Sequence, residues 1–444
     1  LNDEDTTEVK GEPVKGFFID VITRDISVLD TISEFVDNSI DGAERVTDEK
    51  ENYSDLSIEI EVDEKELEIT DNCGGIPKDV AENYAFRFGR PSDVEDELDS
   101  IIGKFGVGMK RGFFKLGNKF LVESKTQDNH FIIETNVEEW ARKESWSFDM
   151  EPVSEENEKC ELTEVGTRLV VRDFNPEVKK KFKDPLFISQ ISKKLKEQNQ
   201  NYIADGLSII VNDEKLDKLS IRLLASDNLV PGYEEFPYEQ NDKKVNIELM
   251  VGLAEPDPDS AGWYIFCNGR MILKADTTDV TGWDLNKESP IPKFHNKYAR
   301  FRGYAFLNGD PELLPWNSSK TGVNPDLAVY QKTREKMINI MRPVKNFLDK
   351  IAKQKKNMDS DNIPPLKKKV NDSEFKNITS ISWEERDFSG PKSGEIEESG
   401  PKKASIQYEK PEKKVEKAKK TLKATSNKEV GERSFDYFYE YEVE

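Results

Sequence analysis

Val28-Leu29-Asp30-Thr31-Ile32-Ser33-Glu34-Phe35-Val36-Asp37-Asn38-Ser39-Ile40-Asp41-Gly42-Ala43 is the stretch on which the reading of this chain turns. Its apolar members Val28, Leu29, Ile32, Phe35, Val36 and Ile40 recur at helical spacing. Glu34, Asn38 and Asp41 stand at i, i+4 and i+7, so a helix gathers them on one face. Such a stripe also suits the solvated side of an amphipathic helix, and alone it leaves both readings open. Downstream, Leu56 to Val62 alternates with period two, Asp63-Glu64-Lys65 turns, and Leu67 to Thr70 resumes the alternation, which predicts a hairpin running into Asp71. Asp71-Asn72-Cys73-Gly74-Gly75-Ile76-Pro77 then turns sharply and leaves a carboxylate where a ligand amine could be hydrogen-bonded. The same composition also makes an ordinary β-turn.

Gly103-Lys104-Phe105-Gly106-Val107-Gly108-Met109-Lys110 forms a GxxGxG run leading into a helix. Glycines let backbone approach phosphate oxygens, and helix-start amides with Lys104 or Lys110 can hold their charge. It is not a Walker A loop, because no GK[ST] follows at the required spacing. Strand-like runs recur at 120–122, 131–133 and 166–171, so the first 175 residues read as α/β with a largely antiparallel sheet. From Pro185 come a lysine-rich helix, strand candidates at 207–211, 244–251 and 262–267, and a helical period over 334–356, enough for a second α/β domain. Beyond 357, Lys, Glu, Ser and Pro dominate, which predicts a mobile tail unable to bury enough apolar surface.

The length of 444 residues allows two to three domains. The net charge of -22 argues against a generally basic nucleic-acid surface and leaves only local contacts, such as the tail lysines 413–423. Cys73, Cys160 and Cys267 are too scattered in sequence for a disulfide framework or a zinc motif, and two histidines, His130 and His295, cannot build a multi-histidine cage. No apolar run is long enough for a membrane span, and the first residues carry no secretory signature, so the expectation is a cytoplasmic protein.

Taken in order, Glu34 to Ala43, Asp71 to Pro77, Gly103 to Lys110 and Gly166-Thr167 resemble the four motifs of the GHKL ATPases, the family of gyrase, heat-shock chaperone, histidine-kinase and MutL ATPases. The wording of 102–110 is similar to the microrchidia (MORC) and heat-shock chaperone branches. The resemblance implies a Bergerat-type α/β sandwich ATPase domain over 1–175, a transducer-like α/β domain over 176–356, and a disordered charged tail over 357–444. It implies ATP and Mg²⁺ as ligands, with Glu34 as general base, Asn38 as Mg²⁺ ligand, and Asp71 with Thr167 on the adenine. Asp41, Gly75, Ile76, Gly103, Lys104, Phe105, Gly106, Val107, Gly108, Met109 and Lys110 would line the nucleotide, and 84–103, with Arg87, Gly89 and Arg90, would be its lid. Two positions depart from the pattern: Cys73 stands where a glycine is usual, and Gly42 where an alanine is usual.

Gly262 to Arg270 resembles the strand and turn of a transducer domain, although Asn268-Gly269 equally suits a plain hairpin. Lys320, in the polar loop 316–324, is the candidate lysine for the γ-phosphate and joins Glu34 as a catalytic candidate. The implied activity is ATP hydrolysis coupled to an ATP-gated, homodimerising clamp of MORC or MutL type on DNA or a protein assembly, with residues 1–16 as an exchanged arm. DNA-acting relatives would place it at the nucleoid or in a nucleus. The alternatives are a heat-shock-chaperone-like ATPase on protein clients and a nonhydrolysing nucleotide sensor within a larger complex, for example a defence system. A histidine kinase is disfavoured, because neither histidine lies in a phospho-acceptor helix.

Overall fold

The computed structural model describes residues 13–47, 52–89, 108–153, 159–218, 221–285, 291–317, 320–356, 363–392, 406–407 and 409–443. Most of the expected exchanged arm, residues 1–12, lies outside the described residues. The helix expected over 28–43 is Val28–Val46, capped where the Ser27 side chain accepts the Asp30 backbone N–H, and a separate helix, Lys15–Arg24, precedes it. The hairpin forms as expected from β1 (Ser57–Val62) and β2 (Glu66–Asp71), whose alternate residues are buried.

These strands sit inside an eight-stranded sheet. Across it lie β5 (Glu151–Pro152), β4 (His130–Asn136), β3 (Gly117–Lys125), β6 (Gly166–Phe174), then β2 and β1, then β7 (Ser208–Val211) and β8 (Glu214–Lys215). All neighbours are antiparallel except β1 and β7. The helix Val28–Val46 packs against the helix Gly108–Leu116, with Phe35 and Phe113 rings 5.2 Å apart and Phe113 stacked on Phe120 of the sheet at 4.1 Å. The expected boundary at residue 175 therefore falls too early. Helices Pro176–Phe182, Pro185–Gln198 and Gln200–Ala204 lead into β7, whose backbone pairs with the free edge of β1 and completes the first sheet.

A second, five-stranded sheet follows in the order β10 (Gly232–Gln240), β11 (Lys243–Leu253), β14 (Phe301–Gly309), β12 (Gly262–Cys267) and β13 (Arg270–Asp276). Asn268 and Gly269 both have positive φ, at 44° and 79°, as a tight two-residue hairpin turn between β12 and β13 requires. The long helix Ala328–Lys356 lies over this sheet, burying Met337, Ile340, Met341 and Val344.

Residues 363–392 correct the expectation of a tail from 357. Helix Pro365–Asn371 buries Leu366 and Val370, and β15 (Glu374–Asn377) pairs with β9 (Arg222–Ala225). Val230 and Ser389 exchange backbone hydrogen bonds, as do Tyr233 and Arg386. Five apolar residues of this polar segment, Leu366, Val370, Ile378, Trp383 and Phe388, dock on the core, whereas Ile363 and Phe375 stay exposed. Residues 393–444 form a separate unit with helices Glu412–Leu422 and Asn427–Glu442, a second departure from the expected tail. Among the described residues no helix is long and apolar enough to cross a membrane.

Candidate functional site

The polar stripe of Val28–Val46 is not a solvated face: Glu34, Asp37, Ser39 and Asp41 are buried, and Asn38 alone among these is exposed. Burying carboxylates is costly unless partners are supplied, and the partners come from distant segments. Arg111 clasps Glu34 through both carboxylate oxygens, with its Nε donating to Oε2 at 2.9 Å and its Nη2 to Oε1. Gly108, where that arginine's helix begins, lies so close that a Cβ there would sit 3.2 Å from Glu34 Oε2.

Asp71, at the end of β2, accepts from Ser39 Oγ at 2.6 Å, from the Cys73 backbone N–H at 2.9 Å and from the Thr167 N–H at 3.2 Å. Thr167 is its register partner on β6. Burial pushes the Asp71 carboxyl above its ordinary value, opposed by these donors. The turn that follows is bolted in place. Gly75 has φ +70°, its carbonyl accepts from Arg45 at 2.8 Å, and a Cβ on it would lie 2.3 Å from the Lys125 carbonyl oxygen. The Ile76 N–H donates to Ser124 Oγ at 2.7 Å. The two departures from the family pattern meet: a Cβ on Gly42 would lie 2.5 Å from the Cys73 carbonyl oxygen and 3.3 Å from the Cys73 Cβ. A side chain at 42 would meet the turn's backbone first and the Cys73 side chain second.

Lys110 is buried and donates to the Ala85 carbonyl at 2.7 Å, and burial lowers its ammonium to about 7. Met109 packs against the core, while Arg87 is exposed and Gly89 half-buried. Gly103, Lys104, Phe105, Gly106 and Val107 lie outside the described residues, as do Arg90 and the rest of the expected lid from 90 to 102.

Lys320 enters from the second sheet's side of the molecule. Its Nζ lies 3.4 Å from Asp37 Oδ2, and Arg270, the residue after the Asn268-Gly269 turn, ion-pairs with the same oxygen. Burial lowers both cations, Arg270 to about 9, and Arg270 further lowers Lys320. Tyr202 adds another tie, its hydroxyl 2.8 Å from Glu44 Oε1 and 2.6 Å from the Asn268 carbonyl oxygen. Sequence reading missed Asp37, Arg111 and Arg270. Asp37 stands at i+3 from Glu34 and i−4 from Asp41, so the spacing that selected the stripe already contained it. Arg111 and Arg270 carried no signal of their own.

The helix that carries Glu34, Asn38 and Asp41 meets the Asp71 turn through Ser39 and Gly42, and Thr167 on β6 faces Asp71. Its donors are oxygens: carboxylates and one exposed carboxamide, the set that suits a magnesium-bound phosphate ligand. Residues 26–167 match the family model described as histidine kinase-, DNA gyrase B-, and HSP90-like ATPase. That match supports a GHKL-type, ATP-binding domain over these residues. No curated protein matches the chain.

Proposed function

We propose that this protein binds ATP with Mg²⁺ on the stripe of Val28–Val46 and the Asp71 turn, hydrolyses it to ADP and phosphate, and uses the cycle to open and close a homodimeric clamp. The observation carrying this reading is the burial of Glu34 and Asp71 with dedicated partners beside an exposed Asn38.

In this reading Glu34 takes the proton from the water that attacks the γ-phosphorus. Arg111 fixes the orientation of that carboxylate. Asp71 accepts from the adenine amino group, with Thr167 beside it. Asn38 would hold Mg²⁺, which when bound neutralises phosphate charge. Lys320 leaves Asp37 for the terminal phosphate, so that ATP favours one arrangement of the two sheets and hydrolysis releases it. The kinship is MORC-like or MutL-like, and the client is DNA or a protein assembly in a cytoplasmic, nucleoid or nuclear setting.

The test is calorimetric ATP binding together with turnover, measured with and without DNA, for the wild type and Glu34→Ala. The wild type binds and hydrolyses ATP, and the variant binds without hydrolysing. Absence of binding to the wild type sinks the nucleotide site, and unchanged turnover in the variant sinks the role of Glu34. Stimulation by DNA selects the DNA client over a protein one.

A further inference from the structure

Behind the Asp71 turn, on neighbouring strands, lies a second cluster that ATP chemistry does not use. Glu123 on β3 is fully buried, His130 opens β4, and Cys160 lies in the segment leading to β6. His130 Nε2 is 2.9 Å from Glu123 Oε1, Cys160 Sγ is 3.0 Å from the same oxygen, and Cys160 Sγ is 3.5 Å from His130 Nε2. We infer that these three side chains form a binding site for a single zinc-class transition-metal ion, with the fourth position left to water.

Three observations carry the inference. The first is the donor set: one imidazole nitrogen, one thiol sulfur and one carboxylate oxygen, with the ligand atoms all within 4.8 Å of one another. With metal–ligand bonds of about 2.0–2.3 Å, the edges of a tetrahedral site come to roughly 3.3–3.6 Å. The observed triangle needs about half an ångström of expansion on two of its sides.

The second is crowding at one atom. Glu123 Oε1 also accepts from the backbone N–H of Leu162 at 3.0 Å, while the Glu161 N–H is shared between Oε1 at 3.2 Å and Oε2 at 3.1 Å. A carboxylate oxygen has two lone-pair sites, so with the thiol and the imidazole beside it Oε1 faces more groups than it can serve well. A cation replacing the thiol and imidazole protons removes the excess.

The third is charge. Arg168 approaches the other oxygen, Oε2, at 3.7 Å, leaving Oε1 to the cluster, and its Nη2 is already paired with Glu68 at 2.9 Å and Glu161 at 2.8 Å. Three carboxylates against the Arg168 guanidinium and the Lys125 ammonium, which donates to the Leu162 and Thr163 carbonyls, still leave the neighbourhood negative, as a divalent cation requires.

The ion would pin the segment carrying Cys160, Glu161 and Leu162, which runs into Gly166 and Thr167. Glu123 is followed by Ser124, which bonds Ile76 and faces Thr167 in the β3–β6 register. The site therefore braces the wall of the Asp71 turn without touching a nucleotide.

The test is direct titration of the full chain with CoCl₂, read by the thiolate-to-cobalt absorption band, with ZnCl₂ then added to displace it. The wild type develops the band, binds about one ion per chain, and loses the colour to zinc. Cys160→Ser and His130→Ala do not develop it. A second measurement, on the wild type alone, needs no folded variant: Cys73 and Cys267 are buried, so a thiol reagent labels Cys160, and zinc slows that labelling. Absence of the cobalt band in the wild type, or labelling at equal rates with and without zinc, overturns the site.

Discussion

Asp37 and Lys320 meet at 3.4 Å although 283 positions separate them in sequence, and Arg270 holds the same carboxylate oxygen. One carboxylate on the helix Val28–Val46 thus faces two buried cations from the second sheet's side, with Asp41 and Glu44 also acting on Lys320, and it is an electrostatic joint between the two regions. Removing it leaves Arg270 buried without this ion pair. Asp37→Ala is expected to cost about 3–5 kcal/mol of unfolding free energy, while Asp37→Ala combined with Arg270→Met recovers part of that loss. Urea denaturation of the singles and the double reads this coupling. Additive losses would show that the joint is not energetic.

Arg111 presents a planar fork to both oxygens of Glu34. A carboxylate held this way keeps lone pairs for a water while losing rotational freedom, and under the proposed hydrolysis the contribution of Arg111 is orientation. Arg111→Met is expected to lower kcat by about tenfold or more with little change in KM. Arg111→Lys restores the charge but not the fork and recovers only part of the rate. A change confined to KM would place Arg111 in substrate binding instead.

How far the site could be read from sequence follows from which contacts are local. The stripe and the Asp71 hairpin are written in period 3.6 and period 2, so both are legible in the amino-acid order alone. The clasp of Arg111 on Glu34, the burial of Asp37 and the cluster around Glu123 depend on segments brought together by the sheet, and no local period encodes them. Strands β7 and β8 differ in kind: the β-branched run in 207–211 marks a strand, yet its membership of the first sheet has no local mark, because pairing with β1 is a choice made by an open edge. Residues 363–392 mislead for another reason: averaged composition hides five well-placed apolar side chains in a polar background.

Gly42 and Cys73 illustrate a nonlocal compensation that each position alone would present as a blemish. A methyl group on Gly42 points at the Cys73 carbonyl and side chain, so Gly42→Ala is expected to destabilise by about 1–3 kcal/mol through overpacking. The Cys73→Gly change removes the side-chain half of the conflict. The double variant is therefore more stable than the two single losses predict, and thermal melts of the four proteins check it. Strict additivity would mean that the clash is with the backbone alone.

Lys110 gives stability a pH dependence with a defined sign. Burial lowers its ammonium to about 7 in the folded protein, against 10.5 for the exposed group. Between those values the unfolded chain binds a proton that the folded chain does not, so folding stability rises with pH across that window and falls as pH drops towards 7. The slope from this group is at most about 1.4 kcal/mol per pH unit. Urea denaturation at pH 7, 8 and 9 is expected to show a steeper rise for the wild type than for Lys110→Met. Parallel profiles would mean that Lys110 stays charged against the Ala85 carbonyl.

Where the folded core ends can be tested by shortening the chain. Ending it after Lys392 keeps residues 363–392 in the chain, and the core should melt as the full chain does, since residues 393–444 form their own unit. Ending it after Lys356, where composition suggests a boundary, removes the β15 pairing with β9 and uncovers Tyr233, which stacks on Trp383 at 5.3 Å, and Phe347, which meets Phe388 at 5.6 Å. Each large apolar side chain so exposed forfeits about 1.5–3 kcal/mol. The shorter protein is therefore expected to melt well below the longer one and to aggregate through that bare face. Equal melting temperatures for the two truncations would show that residues 363–392 contribute nothing to the core they cover.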